Sequence, residues 1–225
     1  MSSIKLNHSS GNAVSIAAPQ SNPASDRTLY VPSNADGTIL TTTSGSSLQV
    51  LEQFYLLADG RSVSTSNGTV TTTDVTAAQA LTDSFVTATG SSLTYQPPTG
   101  TTEVIYEYKC ILNEDNTNDK ILVFYYLDID GTQILESRQA RYAGGDEYND
   151  DINIKFGFRV GTSDSATTGD RASWSSNKTL TIKVARYSSN YAGNLHVVEY
   201  FTPGGGASDF VRRPYVGITA IGVPS

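Results

Sequence analysis

Residues 103–131 read EVIYEYKCILNEDNTNDKILVFYYLDIDG, and this stretch decides the fold. Val104, Tyr106, Tyr108, Cys110 and Leu112 occupy every second position, the period of a strand with one buried face. The second half is apolar on both faces. Ile121, Val123, Tyr125 and Leu127 fall on one side, and Leu122, Phe124 and Tyr126 on the other. A strand of that kind is covered on both sides. Asp130-Gly131 then supplies a hairpin turn into residues 133–140.

Working outward, the same alternation returns. Ile152, Ile154, Phe156, Phe158 and Val160 alternate with Asn153, Lys155 and Arg159, and Leu180, Ile182 and Val184 alternate with Thr181 and Lys183. Residues 194–201 and 214–222 add two strands. Strands with turn-rich joins and no helices between them predict an antiparallel sandwich or jelly roll rather than an open parallel sheet. Upstream, residues 48–57 (LQVLEQFYLL) favour a strand over a short helix, and Asn67-Gly68 marks a tight turn. Asp74 to Asp83 is the best helix candidate, with Asp74 as N-cap and Ala77, Ala78 and Ala80 as helix formers.

Composition divides the chain. Residues 1–100 hold nine charged side chains and five aromatics, against 28 and 16 in residues 101–225. The large apolar side chains lie in the second part, so the compact domain is expected there. This gives an N-terminal segment 1–47, a Ser/Thr-rich connector or stalk 48–100 with short strands, and a C-terminal β-sandwich knob 101–225. In the N-terminal segment, short apolar steps (Ile4 and Leu6, Val14 and Ile16, Leu29 and Val31, Ile39 and Leu40) alternate with Pro, Gly, Asn and Ser turns. Few side chains there can build a core, so the segment must pack on another surface or on copies of itself to stay ordered.

The wording of that segment resembles a leader of tail-fibre and fibre-like virion proteins of marine bacteriophages, cyanophages especially. The matching residues are Lys5-Leu6-Asn7-His8, Ser10-Gly11-Asn12, Ala17-Ala18-Pro19, Asn22-Pro23, Asp26-Arg27-Thr28-Leu29, Val31-Pro32 and Gly37-Thr38-Ile39-Leu40-Thr41-Thr42. A weaker resemblance to the knob that follows this leader rests on residues 104–108, 127–131, Leu195-His196 and 214–220. It implies a trimeric knob similar to tumour-necrosis-factor-like jelly rolls. The full expectation is therefore all-β: an extended N-terminal attachment arm followed by an antiparallel β-sandwich or jelly-roll knob, trimeric. One face of strand 120–129 would fill the sandwich and the other the threefold contact; the plainer alternative is a strand covered by its own loops. The resemblance implies a virion protein assembled in the host cytoplasm. Its partners would be itself, as a homotrimer, and other virion proteins held through residues 1–47 (Leu6, Val14, Ile16, Leu29, Val31, Ile39 and Leu40). A capsid decoration protein is the rival expectation, and a small glycan hydrolase a third.

Several chemistries are disfavoured. The net charge is −7 and Arg212-Arg213 is the only adjacent basic pair, so no nucleic-acid partner is expected. No apolar run approaches the roughly 20 residues of a membrane span, and residues 1–18 lack the apolar core of a secretory signal. Cys110 is the single cysteine and reads as a buried small side chain. Gly144-Gly145-Asp146-Glu147-Tyr148 resembles the signature loop of diguanylate cyclases, but without flanking helices it reads as a polar loop. Asp128-Ile129-Asp130-Gly131 has glycine where a hairpin needs it, not where a calcium loop does. The acids Asp146, Glu147, Asp150 and Asp151 read as a solvated loop tip. His196 reads as a half-buried structural residue, and no Gly-x-Ser-x-Gly elbow occurs. No catalytic residue, metal or cofactor is expected. The binding candidates are loop side chains, Tyr142, Tyr148, Asp150, Trp174 and Tyr191. Aromatic faces can stack on the rings of a host cell-surface glycan while polar neighbours bond its hydroxyls.

Overall fold

The structure, a computed structural model, describes residues 3–7, 13–17, 47–114, 120–144 and 149–224. The chain divides into two compact units, Met1–Thr41 and Thr42–Ser225. In the first, β1 (Ser3–Asn7) and β2 (Ala13–Ala17) pair antiparallel, with Leu6 opposite Val14 and Ile4 opposite Ile16. Leu29, Val31, Ile39 and Leu40 lie outside the described residues.

The second unit is built from β3 (Gln49–Leu57), β4 (Ser62–Thr65), β5 (Gly68–Thr71), β6 (Gln79–Ala80), β7 (Val86–Thr87), β8 (Leu93–Tyr95), β9 (Thr101–Glu114), β10 (Lys120–Ile129), β11 (Thr132–Gln133), β12 (Gln139–Gly144), β13 (Asn149–Arg159), β14 (Lys178–Arg186), β15 (Gly193–Leu195), β16 (Val197–Phe201), β17 (Ala207–Val211) and β18 (Tyr215–Gly222). One sheet runs β13, β9, β18, β3, with β15 continuing the β18 lane along β9 and β6 beyond it. In the other, β11 and β12 share the lane on one side of β10. β14 lies on its other side, and β7 and β8 share the lane beyond β14. Taking each lane once in chain order, the sheets read first-eighth-third-sixth and second-seventh-fourth-fifth. That order is two interlocked Greek keys, the jelly roll. β4 with β5 and β16 with β17 are hairpins off the frame.

The expected alternation fills the sandwich. Val104, Tyr106, Tyr108, Cys110 and Leu112 of β9 are buried, and face Ile121, Val123, Tyr125, Leu127 and Ile129 of β10 within one core. Buried tyrosine hydroxyls need acceptors, and loop carbonyls provide them. Tyr106 donates to Ser91 O at 2.5 Å and Tyr108 to Thr89 O at 3.3 Å. Burial pushes the Cys110 thiol up to about 12, which makes it an inert small core side chain.

Two expectations about residues 48–100 are overturned. The segment is not a connector, because β3, β7 and β8 are lanes of the two sheets and Leu93 and Tyr95 are buried. No helix forms over Asp74–Asp83. Gln79–Ala80 is a strand beside β15, and the Gln79 side chain donates to Thr87 O and accepts from Thr89 N, both at 2.7 Å. Asp74 does not cap; it pairs with Arg213. Over so short a segment helix propensity is a weak determinant, and tertiary pairing overrides it.

Gly90 locks this segment. Its φ is +79°, and a Cβ there would lie 2.7 Å from Val75, 2.8 Å from Ala58 and 2.9 Å from Pro214. Gly90→Ala is expected to cost about 2 kcal/mol from left-handed strain and overpacking together. Denaturant unfolding checks it; an unchanged midpoint would mean that the three neighbours move aside freely.

Candidate functional site

The two outer faces of the sandwich differ. On the β13–β9–β18–β3 face, Lys155 pairs with Glu107 and Lys109 with Asp151, each at 2.5 Å. Gln53 donates to Thr219 at 2.9 Å, and the Tyr55 ring lies across Gly217, where a Cβ would come 2.2 Å from it. Charges there cancel in cross-strand pairs.

The other face is aromatic. Leu122, Phe124 and Tyr126 point outward from β10 and are partly buried. Register places Tyr142 opposite Leu122, and Ala140 and Ala185 opposite Phe124 on either side, so small residues flank that ring. Phe85 packs on Tyr126 with centroids 4.7 Å apart, and Tyr187 on Phe124 at 6.1 Å. The strand's second apolar face is thus partly covered by Phe85 and Tyr187.

The lane beside β10 is interrupted. A 3-10 turn, Leu135–Ser137, separates β11 from β12. Ser137 Oγ accepts from Leu127 N at 2.8 Å, and Ile134 N donates to Leu127 O at 2.9 Å. The β10 backbone is therefore satisfied where the lane is broken. The break opens a groove of about 400 Å³ walled by Phe85, Phe124 and Tyr126 on one side and Gln133, Arg138 and Gln139 on the other. Arg138 donates to Gln133 Oε1 at 2.7 Å, and Gln139 Oε1 accepts from Tyr125 at 3.1 Å. Burial, with Asp128 beside it, pushes the Tyr126 phenol up, so it stays neutral.

The expected binding residues do not converge. Tyr142 is exposed, at the rim of the aromatic face. Tyr191 sits near the same end, its ring against Tyr187 and Lys120 Nζ 5.0 Å from its centroid. Tyr148, with Asp146 and Glu147, lies outside the described residues. Trp174 is corrected to a core residue: it is 4% exposed, stacks edge-on with Phe158 at 5.7 Å, and its indole N–H donates to Tyr95 O at 3.0 Å. Asp150 is committed to Arg141, which clasps β12 of one sheet to β13 of the other. Partial burial raises the Asp150 carboxyl, but the Arg141 guanidinium and the Asp151 N–H outweigh it and hold the group below the usual range. Asp128 accepts from Gly131 N at 2.9 Å and Asp130 from Thr179 N at 2.8 Å, as turn residues. Among the described residues no three metal-ligating side chains cluster.

His196 departs from expectation. It is fully buried, at the break between β15 and β16, with φ +71°. Neither ring nitrogen makes a well-formed hydrogen bond. Burial lowers its pKa to about 4, and only the Thr89 carbonyl favours the charged form.

The β-sandwich with jelly-roll strand order defines the class of domain. No family model matches the chain, and no curated protein does. Among solved structures it is similar to an exo-β-1,3-galactanase from Phanerochaete chrysosporium with galactose, at 12% identity and a TM-score of 0.23, covering 75% of this chain and 30% of that one. The chain thus spans under a third of the galactanase. It is also similar to a chain of a marine algae virus of the order Picornavirales, at 13% identity, TM-score 0.22, and coverage of 97% and 90%. A chain of Mud Crab Dicistrovirus matches at 8% identity, TM-score 0.20, and coverage of 99% and 91%. At TM-scores this low the likeness carries no argument, and the fold rests on the strand pairing.

Proposed function

We propose that the chain is a non-enzymatic virion structural protein: a homotrimeric fibre-like knob held to a phage particle by its N-terminal segment and presenting its surface to the host. The observation that carries this reading is the jelly-roll strand order in the unit that follows a separate N-terminal unit. The leader resemblance implies that arrangement. A fold alone does not assign a function, so the reading rests on the two together.

Deleting residues 1–43 is expected to leave a folded protein with three chains by mass that no longer joins particles. Retained incorporation would overturn the attachment role. Particles lacking the protein are expected to lose host adsorption; loss of head stability instead would make it a decoration protein.

A further inference from the structure

We propose that the groove beside Tyr126 binds a carboxylated sugar, a hexuronate unit of a polysaccharide. The inference deepens the host-surface reading above and names the chemistry that would be recognised.

The groove has one apolar wall and one polar wall. Phe85, Phe124 and Tyr126 present ring faces and edges, and Ala140 and Ala185 on either side of Phe124 leave room beside its ring. A pyranose stacks its C–H face on such a surface. The polar wall is selective in another way. Gln133 Oε1 is occupied by Arg138, and Gln139 Oε1 by the Tyr125 hydroxyl. Both amides are thereby left with NH₂ groups to offer, next to a guanidinium with four further N–H donors. A wall made of donors suits an anionic acceptor, and the planar guanidinium suits a carboxylate.

The groove joins an arginine without a carboxylate partner to an aromatic wall. Arg61, Arg141, Arg159, Arg186 and Arg213 each hold a carboxylate. Among the described residues Arg138 holds none. Asp128, the acid on the same strand, is turned to its own hairpin at Gly131 N. Glu136 of the 3-10 turn is not in the lining. Arg171, which donates to the Ser165 and Asp170 carbonyls, and Arg212 also hold no carboxylate, but of these three arginines it is Arg138 that lines the groove beside three aromatic rings. The hollow on the opposite face, around Tyr55 and Tyr215, also has aromatic walls. There Glu107 and Lys109 are already neutralised by Lys155 and Asp151, so it has no preference for an anion.

The test titrates the full 225-residue chain with tri-galacturonate and with its methyl ester, which keeps the shape and removes the charge. The acid is expected to bind with a Kd near about 1 mM or tighter, and the ester about tenfold more weakly. Arg138→Gln should bring the two within about twofold of each other, a loss of one charged contact. Phe124→Ala should weaken both equally. Circular dichroism of each variant confirms folding. Equal binding of acid and ester, an acid preference that survives Arg138→Gln, or no binding by the folded chain would each overturn the proposal. So would a stable oligomer in which Phe85 and Phe124 are shielded from solvent. The groove can fail this test while the protein still joins particles, and the virion role can fail while the uronate still binds.

Discussion

Replacing Phe158 by alanine is expected to lower the unfolding free energy by about 3–5 kcal/mol, the range for a buried aromatic. Phe158 lies on β13 opposite Val104 and is fully buried. Its ring meets Phe156 at 5.2 Å and Trp174 at 5.7 Å. Gly169 closes over it so tightly that a Cβ would sit 2.7 Å away. Trp174 in turn bonds Tyr95 O, in the β8 lane of the facing sheet. Truncation would therefore leave a cavity lined by both sheets, with little freedom to collapse. Phe156→Ala should cost less, because that ring is only partly buried. Urea unfolding of the two variants checks this, and equal small losses, below about 1 kcal/mol, would contradict the packing.

The second large effect is a dependence on pH. The His196 pKa stands at about 4 in the folded chain, against an ordinary 6.5. Between those values the unfolded chain binds a proton that the native state refuses, so protons pull toward unfolding. Stability is full above pH 6.5 and declines as pH falls toward 4, by about 3 kcal/mol across the window. The depressed carboxyls of Asp150 and Asp170 add their own losses at lower pH, as they are protonated. His196→Asn separates the contributions. Asparagine tolerates the left-handed backbone at +71° and does not titrate. The variant should be less stable at neutral pH yet show a flat profile from 6.5 to 4; an unchanged slope would clear His196.

How far the sequence foretold this depends on how many residues signal together. β9, β10 and β13 carry four or more alternating large side chains each and β14 carries three, and their phase was legible. Beyond β3, where Phe54 and Leu56 alternate, the segment before residue 101 contributes its core in ones and twos: Val70, Val75, Leu81, Ala88, then Leu93 with Tyr95. No period emerges from such scattered positions, so lanes of the sheet read as a connector. Trp174 sits among Ser, Asn and Asp in a turn-rich join, and nothing local says that the loop folds back onto Phe158. The aromatic groove shows the same limit. The outward run Leu122, Phe124, Tyr126 was visible, but Phe85, Gln133, Arg138 and Gln139 join it only through register and through the 3-10 turn that breaks the edge lane. Buried Ile134 and Ser137 anchor that turn, and no spacing rule announces them.

The strand order also governs how the chain becomes folded. β18 lies between β3 and β9, so the first lane made is joined to its sheet only by the last, across an interval of 166 residues between Gln53 and Thr219. Closing so long a loop gains nothing until the final strand is in place. During synthesis β3 must wait with Phe54 and Leu56 uncovered, and the sandwich can be completed only as a late, cooperative event. A topology of this kind is expected to fold slowly, because its longest-range pairing is also its last.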